Sequence, residues 1–312
     1  MGWGGHLQSM TDFGRAVQRL RQKLAWQGTG LILPGLLWMV FFLIIPLILI
    51  VVLSFGWRGA YGPVDWGSTP AEFFSRMSLD NYVRLLDPLY LGVLWTSLRM
   101  AGLTTGICLL VGYPVAYYLA RVAQRWRSLL LFLLLVPFWT NFLIRIYAWM
   151  LLLRTEGLVN QTLVVLGLIP EPLQIMYTPS AVMIAMVYEF LPFMVLPLYT
   201  SLEKLDPALL EAASDLYSRP ARSFLRVTLP LSLPGAIAGT ILVFIPTMGM
   251  FVVPDLMGGA RTALVGNLVQ RQFLAARDWP FGAAASMVLM ALTLAATLLY
   301  TRVSGFGEEL VV

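Results

Sequence analysis

Glu211 and Asp215 stand four residues apart in the stretch EAASDLY, and Arg145 and Glu189 each sit inside a long apolar run. With 16 Asp and Glu and 21 Lys and Arg in 312 residues, these are groups whose placement needs a reason. Carboxylates at i and i+4 of a helix share one face and repel by about 0.2–0.5 kcal/mol. Such a pair either meets a partner or forms an ordinary solvated face. Arg145 and Glu189 fall at similar depth in neighbouring apolar runs. An isolated arginine near mid-membrane costs about 2.5–3.5 kcal/mol even on the gentler insertion scale, so the two are predicted to pair. The pair then either pins two helices together or places Glu189 where it attracts a cation.

A third set combines carboxylates with aromatic faces: Asp255, Asp278, Trp279, Tyr188 and Trp139. Those types suit an organic cation, whose ammonium groups seek carboxylates and π faces and whose methylenes seek apolar surface. Aromatics at these levels also serve as interface anchors. Other chemistry is excluded. With one Cys (Cys108) and one His (His6), no disulfide framework, thiolate cluster or His-rich metal site can be assembled. The chain has no GxxxxGK[ST] phosphate loop. Neither a nucleophile and base nor a metal set is evident, so the chain is read as non-catalytic, with no cofactor of its own and no nucleic-acid partner.

The elements that position these residues follow from composition. At 59% hydrophobic and 12% charged residues, a soluble globule of this length would lack polar surface to cover itself. The fold is predicted to be all-α and integral to a membrane. Six apolar stretches are each long enough to cross roughly 30 Å of hydrocarbon: Leu31 to Phe55, Met100 to Ala120, Ser128 to Leu153, Ser180 to Leu202, Gly235 to Pro254 and Phe281 to Thr301. Residues 1–29 form a basic leader with Arg15, Arg19, Arg21 and Lys23, and Thr11 to Trp26 reads as a surface amphipathic helix or a solvated leader. With the N-terminus inside, twelve of the 21 basic residues lie on the inner side and seven on the outer. That bias puts both termini in the cytoplasm. Prolines 114, 137, 192, 197 and 246 fall within spans and are expected to kink them.

Between the fourth and fifth spans, on the cytoplasmic side, the chain reads EKLDPALLEAASDLYSRPARSFLRVTLPLSLPGAIAG. Asp206 followed by Pro207 is a helix start: the carboxylate accepts from orphan N–H groups and Pro supplies the first helical φ. A short helix is predicted from Pro207 to about Leu216. A second begins at Pro220, carries the basic stripe Arg219, Arg222 and Arg226, and is expected to stop at Pro230 and Pro234. Ala212 and Ala213 beside the acids permit close approach, as for a knob that docks into another protein's groove.

Glu211, Ala212, Ala213, Leu229 and Pro230, extended by Pro234 and Gly235, resemble the coupling loop of ABC importer permeases, whose pattern is roughly EAA, three residues, Gly, about nine residues, then I-x-LP. The segments FLIRIYAWMLLL, LPFMVLPLYTSLEKLD, GMFVVPDLMGG and GNLVQRQFLAARDWPFGAAAS extend the likeness to permease subunits of polyamine (spermidine/putrescine) importers over about residues 30–303. The resemblance implies a six-helix type I importer permease over 30–303 with the coupling loop at about 203–230, and a cytoplasmic tail at 304–312. It implies a bacterial inner membrane, a second and different permease subunit, two ATPase subunits carrying ATP and Mg, and a periplasmic substrate-binding protein. Glu211, Ala212, Ala213, Asp215 and Tyr217 would then contact the ATPase. Trp139, Arg145, Tyr188, Glu189, Asp255, Asp278 and Trp279 would lie on the substrate path. Related importers carry opines, thiamine or other organic cations. An ion-coupled secondary transporter switching through Arg145 and Glu189 is the rival from another class. Tyr217 departs from the pattern, since Gly would end the first helix at positive φ, and a tyrosine there costs about 1–2 kcal/mol. A different turn, helped by Pro220 and with the ring packing on the ATPase or on the helix ends, is therefore expected.

Overall fold

The computed structural model describes residues 32–59, 62–65, 67, 69–259 and 262–303. The leader with its surface helix and the tail lie outside them. The chain divides into two units, Met1–Leu53 and Ser54–Val312. Nearly all of helix α1 (Ile32–Ser54, 23 residues) falls in the first. It is apolar on every side and widens into a π turn at Val40–Ile44. Most of its large side chains, among them Trp38 and Phe41, are exposed, as expected of a helix solvated by lipid.

The second unit begins with two short helices, α2 (Pro70–Ser75) and α3 (Asp80–Leu85). Then follow α4 (Pro88–Arg121), α5 (Gln124–Leu135), α6 (Phe142–Leu153), α7 (Leu158–Val165) and α8 (Pro179–Glu203). Helix α9 (Pro207–Asp215) precedes α10 (Pro220–Gly249), and α11 (Val252–Met257), α12 (Val265–Leu274) and α13 (Trp279–Val303) complete the unit. Helices α4, α8 and α10 form the core. Met186, Met194, Val195 and Leu198 of α8 are fully buried between the other two, with Cys108 of α4 and Val243 of α10. Two glycines set the spacing of α10 on α8. A Cβ at Gly235 would stand 2.5 Å from the Pro197 carbonyl oxygen, and one at Gly239 would meet the Met194 sulfur at 2.7 Å. Small residues at a helix contact give the close backbone approach that membrane packing relies on.

Among the described residues five helices are long and apolar enough to cross a membrane, and a sixth crossing is available if one bent pair counts as one span. That pair corrects the third span. Ser128 to Leu153 is not one helix: the chain breaks after Trp139 and restarts at Phe142, with 94° between the halves Gln124–Trp139 and Phe142–Val165. Pro137 tightens the first half into a 3₁₀ turn, Val136–Trp139, and Thr140 is extended. Asn141 then caps the restart, its Oδ1 accepting from Leu143 N at 2.8 Å. The fifth span differs at both ends. Pro230 and Pro234 do not stop the helix begun at Pro220, because a π turn at Phe224–Thr228 intervenes. In it Leu229 N reaches back to Phe224 O, and the widened turn leaves room for the ring of Pro230, which has no N–H to place. The helix ends at Gly249 rather than Pro254, with Met250 extended.

Candidate functional site

The first candidate site is α9. Asp206 Oδ1 accepts from Ala208 N at 2.9 Å and Pro207 opens the helix, as the sequence predicts. No residue of α9 is buried. Glu211, Ala212 and Asp215 are exposed and Ala213 is half-buried. Among the described residues neither Glu211 nor Asp215 makes an ion pair. Glu211 borders a cavity of about 510 Å³ that also receives Arg121, Arg127, Glu203 and Tyr117. A nine-residue helix with no fully buried residue gains little from its own domain. Its exposed surface is free for another protein.

The end of α9 corrects the expected turn. Tyr217 sits at φ 54°, in the left-handed region. Ser218 N donates to Ala213 O at 3.1 Å and Tyr217 N to Ser214 O at 2.9 Å. This is the pair of bonds that closes a Schellman turn, with tyrosine at the position glycine usually holds. The ring is not packed on the helix ends either, being 97% exposed, and Leu216 beside it is 82% exposed.

The second site lies at the break between α5 and α6. Arg145 and Glu189 pair, as predicted. Arg145 Nη2 meets Glu189 Oε1, and Nε donates to Oε2 at 3.2 Å. The remaining nitrogen, Nη1, donates to Pro137 O at 2.8 Å and Thr140 O at 3.2 Å. The guanidinium carbon lies 4.6 Å from the centroid of the Phe138 ring. Both carboxylate oxygens are therefore engaged, and the fork also bonds carbonyls at the break, adding to the Thr140 N–H that Pro137 O already accepts. With side chains 9% and 11% exposed, the two charges neutralise each other inside the fold. Trp139, at the break itself, is 78% exposed. Tyr188 packs edge-on against Trp149, not Trp139, at 5.3 Å between centroids.

In the third set both carboxylates are engaged within the fold. Asp278 is buried, accepts from Arg84 Nη1 at 3.0 Å and caps α13 by accepting from Phe281 N at 3.3 Å. Arg84 also lies 4.1 Å from the Phe281 ring centroid. Asp255 accepts from Asn267 Nδ2 at 2.7 Å and faces Arg271 at 3.6 Å. Trp279 Nε1 donates to Phe273 O at 3.2 Å. Each carboxylate thus already has a partner. Arg84 lies 194 residues from Asp278, and no local pattern announces that partnership. The cap was legible in sequence, because Asp278 precedes Trp279 and Pro280 at a helix start.

The arrangement has counterparts among known proteins. Residues 109–305 match the family model described as binding-protein-dependent transport system inner membrane component. The spermidine/putrescine transport system permease protein PotB of Escherichia coli (strain K12) is 51% identical over 267 residues, covering 86% of this chain and 94% of that protein. PotB of Haemophilus influenzae is 48% identical over 258 residues, covering 82% and 87%. Among solved structures, a chain of a bacterial alginate ABC transporter in complex with pentasaccharide-bound periplasmic protein superposes with a TM-score of 0.72 at 16% identity, covering 90% of this chain and 95% of that one. At that identity the likeness concerns the fold.

Proposed function

This chain belongs to the family of binding-protein-dependent transport system inner membrane components, and from that premise we propose that it forms half of the translocation path of an ATP-driven polyamine importer. The observation that carries the coupling role is α9, which has a well-capped start and no buried residue, and which presents Glu211, Ala212, Asp215, Leu216 and Tyr217 outward. Kinship with two PotB proteins at 51% and 48% identity supports spermidine or putrescine as the cargo.

In this reading α9 is cytoplasmic and seats on an ATPase subunit, with Glu211 and Asp215 facing its cations, Ala212 and Ala213 allowing close approach, and the exposed Leu216 and Tyr217 adding apolar contact. A second permease carries the other coupling helix. Two ATPase subunits hold ATP and Mg, and a periplasmic binding protein delivers the substrate. Closure of the ATPase pair draws the coupling helices together, and α10, continuous from Pro220 to Gly249, carries that motion into the membrane core. The ion-coupled rival would need Arg145 or Glu189 free to exchange partners, and both are fully engaged.

The test is substrate-stimulated ATP hydrolysis by the reconstituted complex with its binding protein, comparing wild type with Glu211→Ala on spermidine, putrescine and an opine. Stimulation by a polyamine that falls at least tenfold in the variant is expected. Unchanged hydrolysis and uptake in an assembled variant would remove Glu211 from coupling, and uptake without an ATPase would favour ion coupling.

A further inference from the structure

A cavity of about 530 Å³ lies where α10 stops, between α10, α12 and α13. Gly249, Phe251, Gln270, Ser286, Met290 and Thr293 give it its chemistry, and every residue lining it is uncharged. Helix α10 ends here, with Met250 extended, so the negative end of its dipole is at the cavity wall. The Gly249 carbonyl oxygen lies against Gly266, where an added Cβ would collide with it, and both glycines line the cavity. Ser286 and Thr293 add to this in a specific way. Ser286 Oγ donates its proton to Gly282 O at 2.9 Å, and Thr293 Oγ1 donates to Leu289 O at 3.0 Å. Each hydroxyl has spent its hydrogen on its own helix and has acceptor lone pairs left.

Ser286, Met290 and Thr293 fall at i, i+4 and i+7, one face of α13. That stripe runs along roughly 10 Å of helix and starts about 10 Å in from Trp279, well inside the span. Opposite it, Phe251 is 40% exposed and offers a π face to a cation. The Gln270 amide can turn its oxygen inward. The nearest arginine in sequence, Arg271, faces Asp255 instead.

We propose that this cavity is a transit site for a linear organic ammonium ion, its charged ends held by the Gly249 carbonyl at the end of α10, the Ser286 and Thr293 hydroxyl oxygens and the Phe251 ring. The inference rests on the polyamine reading for the identity of the ion. Nothing lining the site supplies a full negative charge, so the cation is stabilised against the membrane interior yet not trapped. That is the condition for passage rather than storage.

The experiment is uptake of labelled spermidine by proteoliposomes containing the full complex and binding protein, comparing Ser286→Lys with Ser286→Met. The two side chains have similar reach and differ in charge. Ser286→Lys, which adds a positive charge, is expected to lower uptake at least tenfold, and Ser286→Met, which loses the hydroxyl oxygen alone, about threefold, with assembly of both complexes checked by co-purification of their subunits. Equal loss in both variants would reduce the cavity to a packing feature, and full uptake by Ser286→Lys would overturn the site outright. Should Ser286→Lys fail to assemble, Phe251→Leu is expected to raise the KM for uptake at least threefold with Phe251→Tyr unchanged, and equal KM values would reject the proposal. If the wild-type complex carries no polyamine, the substrate reading fails separately, and the same variants are read on the solute that is imported. Selective impairment of a cation by Ser286→Lys upholds the site; faster entry of an anion, or indifference, overturns it.

Discussion

A tyrosine in the left-handed region carries about 1–2 kcal/mol of backbone strain that glycine would not. Tyr217 carries it at φ 54° while its ring is 97% exposed, so packing of the ring within the described residues repays none of it. Strain of this kind persists where the surrounding structure over-determines it and clusters at functional sites, and with Leu216 the ring makes an apolar tip suited to a partner's pocket. Tyr217→Gly should therefore stabilise α9 in the isolated permease by about 1 kcal/mol, read as slower amide hydrogen exchange over 207–218. The same variant should release the ATPase faster from the assembled complex. Unchanged ATPase dissociation would mean the ring does not dock. At this scale the sequence was informative where one residue's demand is absolute. A deeply placed Arg145 required an anion, and Glu189 supplied it. It was silent where the partner depended on the fold, as with Arg84 and Asp278, and misleading at Tyr217, where two backbone bonds outweigh the side-chain preference.

The broken third span is the element whose behaviour depends most on one side chain. Hydropathy made Ser128 to Leu153 look continuous because apolar residues occupy both halves and a break leaves no mark on composition. The signals lay in Pro137 and Asn141, a ring without an N–H followed by a capping amide. The prolines of the fifth span misled in the opposite direction, since a π turn absorbs Pro230 and the helix continues. Arg145 holds the break closed from both sides, bonding Pro137 O and Thr140 O behind it and Glu189 across to α8. Glu189→Gln leaves a buried cation uncompensated, which costs about 3–5 kcal/mol. The expected outcome is a complex that melts earlier but transports normally per folded molecule. Exchanging the two residues, Arg145→Glu with Glu189→Arg, should not restore stability, because a carboxylate at the break cannot donate to the two carbonyls. Full rescue by the exchange would show that charge pairing alone matters there, and lost uptake in stably folded Glu189→Gln would return Glu189 to the substrate path.

For the whole molecule the open question is sidedness. Helix α10 has 30 residues and spans roughly 45 Å from Pro220 to Gly249. A helix of that length is expected to place α9, before its start, and α12, after its end, on opposite faces of the bilayer. Coupling requires α9 to be the cytoplasmic one, in agreement with the distribution of Lys and Arg. The chain provides its own clean background for a test, since Cys108 is its one cysteine and is fully buried in α4. Wild type should take up no membrane-impermeant maleimide from either side. Ser214→Cys, on the exposed surface of α9, should label in inside-out vesicles alone, and bound ATPase should protect it. Leu274→Cys, at the 72% exposed end of α12, should label in right-side-out vesicles alone and be indifferent to the ATPase. Both sites labelling from one side would mean that α10 does not cross. Reversed sidedness would place α9 beyond the reach of any cytoplasmic ATPase and remove the coupling mechanism altogether. With the expected pattern, protection of Ser214→Cys that tracks the nucleotide state would tie motion of α9 to the ATP cycle.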